Sequence, residues 1–278
     1  MSADFEQFVK ERIYLKNVSP RTVDFYRDCW RSFERYGGEL SKPGLAKYVI
    51  AMREAGVKPV SCNTFISGIN AYLRWRHEND GAELLKIQKL KVEQKVIPSL
   101  SDAGIRTLLT FKPTTFGERR LHAVLLLALD TGCRIDELLT LRPDSIDLDN
   151  LLIRVVGKGS KERLIPISPE CRKTLFRFLK KRFNNRFDYV FGTRHGDKVS
   201  YHNLNRDYRK LCEKLRIKKE GSFHRLRHTF ALHYVRNGGG LFHLQKQLGH
   251  TTLSMTKKYC ELEIKDLQQN HRSLLSRF

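Results

Sequence analysis

The chain has 278 residues, 40% of them hydrophobic, which is length and apolar content enough for about two domains with real cores. Lys and Arg total 52 against 30 Asp and Glu, a formal net charge of +22. Disordered, fibrous and disulfide-stapled classes are excluded, and the excess charge points to a polyanionic partner. The six cysteines (Cys29, Cys62, Cys133, Cys171, Cys212, Cys260) form no C-x-x-C pair, so no zinc knuckle or disulfide framework is expected and a reducing interior fits. MSADFEQFVK carries acids and no apolar h-region, and the longest apolar run, Ala123 to Leu129, falls far short of the roughly 18 residues of a membrane span. These features predict a soluble cytoplasmic protein that binds nucleic acid; no long helix has the basic and apolar faces that membrane-surface binding needs.

In chain order, the first hundred residues read as helices. Ser19 caps a helix opened by Pro20, with Val23, Tyr26, Trp30 and Phe33 at helical spacing and Gly37-Gly38 as its stop. Further helices are predicted over Pro43 to Glu54 and Ser61 to Glu78, with a short one from Gly81. The charged, Pro-ended stretch from Lys89 to Ser99 reads as a linker. Beyond it, helices are predicted over Ser101 to Leu109 and Arg119 to Leu129, and another starts near Arg134 after the Thr131-Gly132 break. Leu151 to Val156 and Arg163 to Ile167 are branched apolar runs separated by GKGSK, the pattern of a hairpin. Helices then follow over Pro169 to Arg182, Tyr201 to Leu215, His224 to Arg236 and Leu241 to Leu248, and a helical tail ends the chain. Charge is uneven: residues 1–98 hold 17 basic and 12 acidic side chains, the remainder 35 and 18.

Several chemistries are excluded by their motifs. GKGSKE fits neither a P-loop nor a dinucleotide fingerprint. In HRLRH, His224 and His228 stand at i and i+4, but Arg225 occupies the glutamate position of H-E-x-x-H and would repel a dication. No acid cluster suggests a two-metal nuclease. The remaining cations, imidazoles and tyrosine suit phosphodiester chemistry, because guanidiniums hold the oxygens of a phosphoryl transition state by bidentate bonds. Arg134 opens an apolar helix with Glu137 at i+3, where the acid either orients an arginine or histidine or makes a surface ion pair; Arg227 stands at i+3 from His224. His228 and His233 read as structural, and Lys180-Lys181-Arg182 as a solvated helix end.

Four segments in order resemble the motifs of the tyrosine recombinase (phage integrase) family, close to its compact Xer-like members: TGCRIDELLTL at 131–141, VVGKGSKERLIPI at 155–167, HRLRHTFALH at 224–233 and LGHTTLSMTKKY at 248–259. The resemblance implies a mainly α fold with a small β-hairpin sheet. A helical, SAM-like core-binding domain would occupy residues 1–95 and a mixed α/β catalytic domain residues 96–278. It implies a site-specific recombinase in which Tyr259 attacks a DNA phosphate to form a 3′-phosphotyrosyl link. Arg134 and Arg227 would clamp the non-bridging oxygens, His224 and His250 supply hydrogen bonds and proton transfer, and Lys158 protonate the departing 5′ oxygen, with Glu137 in support. Lys161, on the same turn, competes for the Lys158 role. The implied partners are a double-stranded DNA site and further copies in a synaptic tetramer, with the tail docked on a neighbouring protomer. No metal, ATP or cofactor is implied, and mobile-element integration falls within the class.

Two positions depart from the family pattern: Arg225 stands where an acid is usual, and Gly238 to Gly240 replace a polar helix start before L-G-H. Two other readings are a type IB topoisomerase-like enzyme, which would relax supercoils without site preference, and a DNA-binding regulator keeping only the fold, which would have lost the nucleophile or an arginine.

Overall fold

A computed structural model of the chain describes residues 2–93, 99–157, 161–180, 187–217 and 222–250, together with Thr252 and Thr256. The chain separates into two compact units, Met1–Lys95 and Val96–Phe278.

The first unit holds α1 (Ala3–Tyr14), α2 (Pro20–Arg35), α3 (Lys42–Glu54) and α4 (Pro59–Asp80). Serine hydroxyls cap three of them: Ser2 accepts from the Phe5 amide, Ser19 from Thr22 and Ser41 from Gly44. The helix α1 adds to the sequence reading; its Phe5, Phe8 and Val9 are buried at i, i+3 and i+4. The core is aromatic. Phe5 stacks on Trp30 at 4.5 Å between centroids, Tyr72 meets both edge-on, and the Trp75 indole N–H donates to Glu11 at 2.6 Å. Where α2 crosses α4, a Cβ at Gly68 would lie 2.4 Å from Cys29 Sγ, so the close approach requires glycine there.

The short helix expected from Gly81 does not form. Gly81 ends α4 in the left-handed conformation, and residues 81–93 run on without regular structure. Two side chains of α4 replace the missing helical bonds. Asn70 accepts the Ile87 amide and donates to the Ile87 carbonyl, both at 2.8 Å; Asn63 does the same for Leu90, at 2.8 and 2.9 Å. Leu85 and Ile87 are thereby buried against the helices. The expected linker is thus strapped to α4 as far as Leu90, while its residues 94–98 lie outside the described residues.

The second unit comprises α5 (Asp102–Thr110), α6 (Phe116–Thr131), α7 (Ile135–Leu139), a 3-10 turn (Pro143–Ser145), β1 (Ile146–Asp147), β2 (Leu152–Val156), β3 (Glu162–Pro166), α8 (Pro169–Lys180), α9 (Tyr201–Lys214), α10 (Phe223–Arg236) and α11 (Leu241–Leu248). The strands form an antiparallel sheet in the order β1-β2-β3, with Val155 opposite Arg163; the two-residue β1 extends the expected hairpin. Ile153, Val155 and Ile165 bury one face. α6 is buried nearly all round and packs on α8 and α10, which fits its apolar run. A capping box starts α6: the Thr115 hydroxyl accepts the Glu118 amide, and Glu118 accepts the Thr115 amide. The observed architecture is mainly helical with one small sheet. Among the described residues no helix is long and apolar enough to cross a membrane.

Candidate active site

The site grows from the end of α6. Gly132 adopts φ +66°, which stops the helix, and a Cβ there would meet the Phe230 ring at 2.3 Å and Leu248 at 2.8 Å. Only glycine allows α10 and α11 this close to the break. Arg134 then caps the short helix α7, and the Glu137 carboxylate reaches back to accept its amide at 2.8 Å and its guanidinium at 3.1 Å. Arg227, on α10, is 2% exposed; it donates to the Gly132 carbonyl at 2.9 Å and to the Leu248 carbonyl at 2.8 Å. Arg134 donates to the same Leu248 oxygen at 3.4 Å. Two arginines from separate motifs therefore converge on one acceptor at the C-terminus of α11, where backbone carbonyls lack helical partners and the dipole favours cations.

That terminus also positions His250. Gly249, at φ +64°, turns the chain, the Gly249 amide bonds to the Lys246 carbonyl and the His250 amide to the Gln245 carbonyl, the paired bonds of a Schellman motif. His250 follows directly on the residue that turns the chain at the arginine anchor, and its Nδ1 lies 2.8 Å from the Thr256 hydroxyl. His224 is exposed at the start of α10, one turn before Arg227 and on the same face. Lys158 and Tyr259 lie outside the described residues, as do Lys181 and Arg182 of the expected helix end and the tail beyond Tyr259. The Gly157 amide donates to the Lys161 carbonyl at 2.8 Å, and Lys161 itself is exposed.

Glu137 is 6% exposed, which decides against the surface ion-pair reading. Burial pushes its carboxyl up, but the Arg163 hydrogen bonds and charge, with Arg134 beside it, hold it below the usual carboxylate value. The sequence reading missed Arg163. It sits on β3 with its guanidinium on both Glu137 oxygens, at 3.0 and 2.8 Å, and its Nε donates to the Gln247 carbonyl at 2.9 Å. Its one sequence signal is that it shares the face of the expected hairpin with buried Ile165. Cys133, next to Arg134, is buried and its thiol is raised to about 11 by that burial, so it does not compete as a nucleophile.

Among the residues read as structural, His228 is buried, and His233 lies 3.6 Å from Asp102, joining α10 to α5. The Gly238 to Gly240 run has a role of its own. Gly238 at φ +81° ends α10, Gly239 is so close to Tyr234 that a Cβ would fall 2.2 Å from the ring, and Gly240 starts α11 without a side-chain cap.

Residues 98–265 match the model of the phage integrase family. The tyrosine recombinase XerA of Thermococcus kodakarensis is 30% identical over 259 residues, covering 92% of this chain and 89% of that protein. XerD of Pseudomonas putida is 31% identical over 284 residues, covering 96% and 95%. In fold, the chain is similar to the Tn1549 transposon integrase solved in complex with transposon right end DNA, with a TM-score of 0.77 at 19% identity over 99% of this chain and 100% of that one. It is also similar to the XerH site-specific recombinase bound to its difH substrate, with a TM-score of 0.72 at 18% identity over 96% and 82%. The match over residues 98–265, more than half of the chain, and relatives about 30% identical over nearly its whole length place this chain in the phage integrase family of tyrosine recombinases.

Proposed function

We propose that this protein cleaves and rejoins duplex DNA at specific sites through a 3′-phosphotyrosyl intermediate, with Tyr259 as nucleophile. The phenolic oxygen attacks phosphorus as the bond to the 5′ oxygen breaks, and Lys158 gives that oxygen its proton. A phenol, with a pKa of about 10, attacks poorly until cations stabilise its anion and the charge gathering on the phosphoryl oxygens. Arg134 and Arg227 supply that charge as a two-point clamp, while His224 and His250 hydrogen-bond the phosphate and move protons. Rejoining reverses the step with the 5′ hydroxyl of the incoming strand. The ester conserves the energy of the cleaved bond, so the exchange needs no ATP.

The observation that carries this reading is the convergence of Arg134 and Arg227 on the Leu248 carbonyl, next to the turn that carries His250. Duplex DNA as partner is supported by the charge, 35 basic against 18 acidic residues beyond residue 98, and by similar proteins solved on their DNA sites. In this reading residues 1–95 form a core-binding domain and residues 96–278 the catalytic domain, and the protein acts as a cytoplasmic tetramer assembled on its sites, on a mobile element or on replicon dimers. The test is covalent capture on a nicked duplex carrying the site that the wild-type protein selects from a randomised library. Wild-type protein is expected to trap a denaturation-resistant adduct, and Tyr259→Phe to bind with unchanged affinity and trap none. An adduct at wild-type yield from Tyr259→Phe rejects the nucleophile.

A further inference from the structure

Arg163 occupies a slot built from three separate motifs. Its guanidinium faces the Glu137 carboxylate from the first arginine motif with two hydrogen bonds, and its Nε meets the Gln247 carbonyl at the end of α11. Two glycines form the walls. A Cβ at Gly157 would stand 3.1 Å from Arg163 Nη1, and one at Gly249 would stand 3.2 Å from its central carbon. The side chain is 14% exposed and Glu137's is 5% exposed, so the pair is held largely away from water. Three donor directions of the guanidinium are thus spent on Glu137 and the Gln247 carbonyl, which fits a holding role.

What is held is Arg134. Glu137 bonds the Arg134 amide and guanidinium while Arg163 grips the same two oxygens, so the carboxylate cannot rotate without breaking bonds to both arginines. The same guanidinium joins β3, and with it the hairpin next to Gly157, to the helix end that anchors Arg134 and Arg227. We propose that Arg163 is a positioning residue for strand cleavage, acting through Glu137 to aim Arg134. The inference rests on the reading of Arg134 as a phosphate clamp.

The role demands a planar fork and not merely a positive charge, because an ammonium group cannot engage both carboxylate oxygens and a carbonyl in these directions. Arg163→Lys and Arg163→Ala are therefore expected to lose adduct formation alike, by tenfold or more in the single-turnover rate, at wild-type DNA affinity. If Arg163 acts through Arg134, then adding Arg163→Ala to Arg134→Lys costs less than threefold further, since the aim is already lost. Should Arg163→Ala leave Glu137's charge buried and the chain unfolded, Glu137→Met with Arg163→Met removes both charges of the pair, and is expected to fold and to cleave as slowly.

The readout is covalent capture on the nicked, library-selected duplex, with filter binding and thermal melting of the same variants. A wild-type rate in Arg163→Lys, Arg163→Ala or the double Met variant overturns the proposal. So do fully multiplicative losses with Arg134→Lys, and so does a loss of rate matched by an equal loss of DNA affinity. If wild-type protein itself forms no adduct, the recombinase reading fails with it, an outcome distinct from active wild-type protein with indifferent Arg163 variants.

Discussion

The Thr256 hydroxyl lies 2.8 Å from Nδ1 of His250, and Thr256 is fully buried. A hydroxyl at this distance orients the ring and biases its tautomer, which leaves contact with a phosphate to Nε2. Thr256→Val keeps the shape and removes the bond, so single-turnover cleavage should slow by about tenfold, the worth of one hydrogen bond. Thr256→Ser should retain most of the rate. Equal rates for Val and wild type would show that His250 is held by the turn alone.

Arg134→Lys separates binding from chemistry. The charge remains, so the dependence of DNA affinity on salt should keep its slope of about −0.9 per phosphate neutralised. The guanidinium fork is lost, and cleavage should slow by on the order of a hundredfold, comparable to losing one oxyanion-hole donor. Parallel losses of affinity and rate would make Arg134 a DNA-holding residue only.

For the leaving group, a duplex with sulfur at the bridging 5′ position gives the decisive comparison, since a thiolate departs without a proton. Lys158→Ala should be slow on ordinary DNA and near wild type on the sulfur substrate, while Arg227→Ala should be slow on both. Rescue of Lys161→Ala in place of Lys158→Ala would move the acid to the other end of the hairpin loop.

Glu118 should shape the acid limb of stability. Its carboxyl is held down to about 2, chiefly by the hydrogen bond from Lys214 and then by the Thr114 amide and hydroxyl. The folded value lies below the unfolded one, so the contribution is complete above about 4.5 and is lost as pH falls toward 2. Glu118→Gln keeps an acceptor for the capping box but no charge. Unfolding free energy of this variant should therefore vary less between pH 4.5 and 2 than that of wild type, measured by denaturant titration across that range. Parallel curves would mean the ion pair does not survive in solution.

The asparagine strap of the first unit predicts a local effect. Asn70→Ala leaves the amide and carbonyl of the buried Ile87 without their partners, at a cost of about 1–3 kcal/mol for each group stranded from water. Exchange of the Ile87 amide should accelerate sharply and that of Leu90, held by Asn63, much less. An Ile87 amide already unprotected in the wild-type protein would argue against the strap.

Much of the molecule was legible locally. Serine caps, prolines at first turns, left-handed glycines and 3.6-residue periodicity depend on neighbours within a few residues, so helices such as α2 and α11 could be placed from the sequence, as could the Gly132 break before Arg134. Arg134, Arg227 and His250 were named as site residues through the resemblance of their short segments to the tyrosine recombinase motifs. What sequence spacing could not supply was anything settled by a partner far along the chain. Residues 81–93 lack a helix because Asn63 and Asn70 bond their backbone from across the unit. Glu137 is buried and not a surface pair because Arg163 arrives from β3 to share it. The two arginines meet only because α11 ends where α7 begins and α10 passes, offering one carbonyl to both. Backbone carbonyls look the same at every position of a sequence, so which of them becomes an anchor is decided by the packing of distant helices and by nothing that local residue pattern encodes.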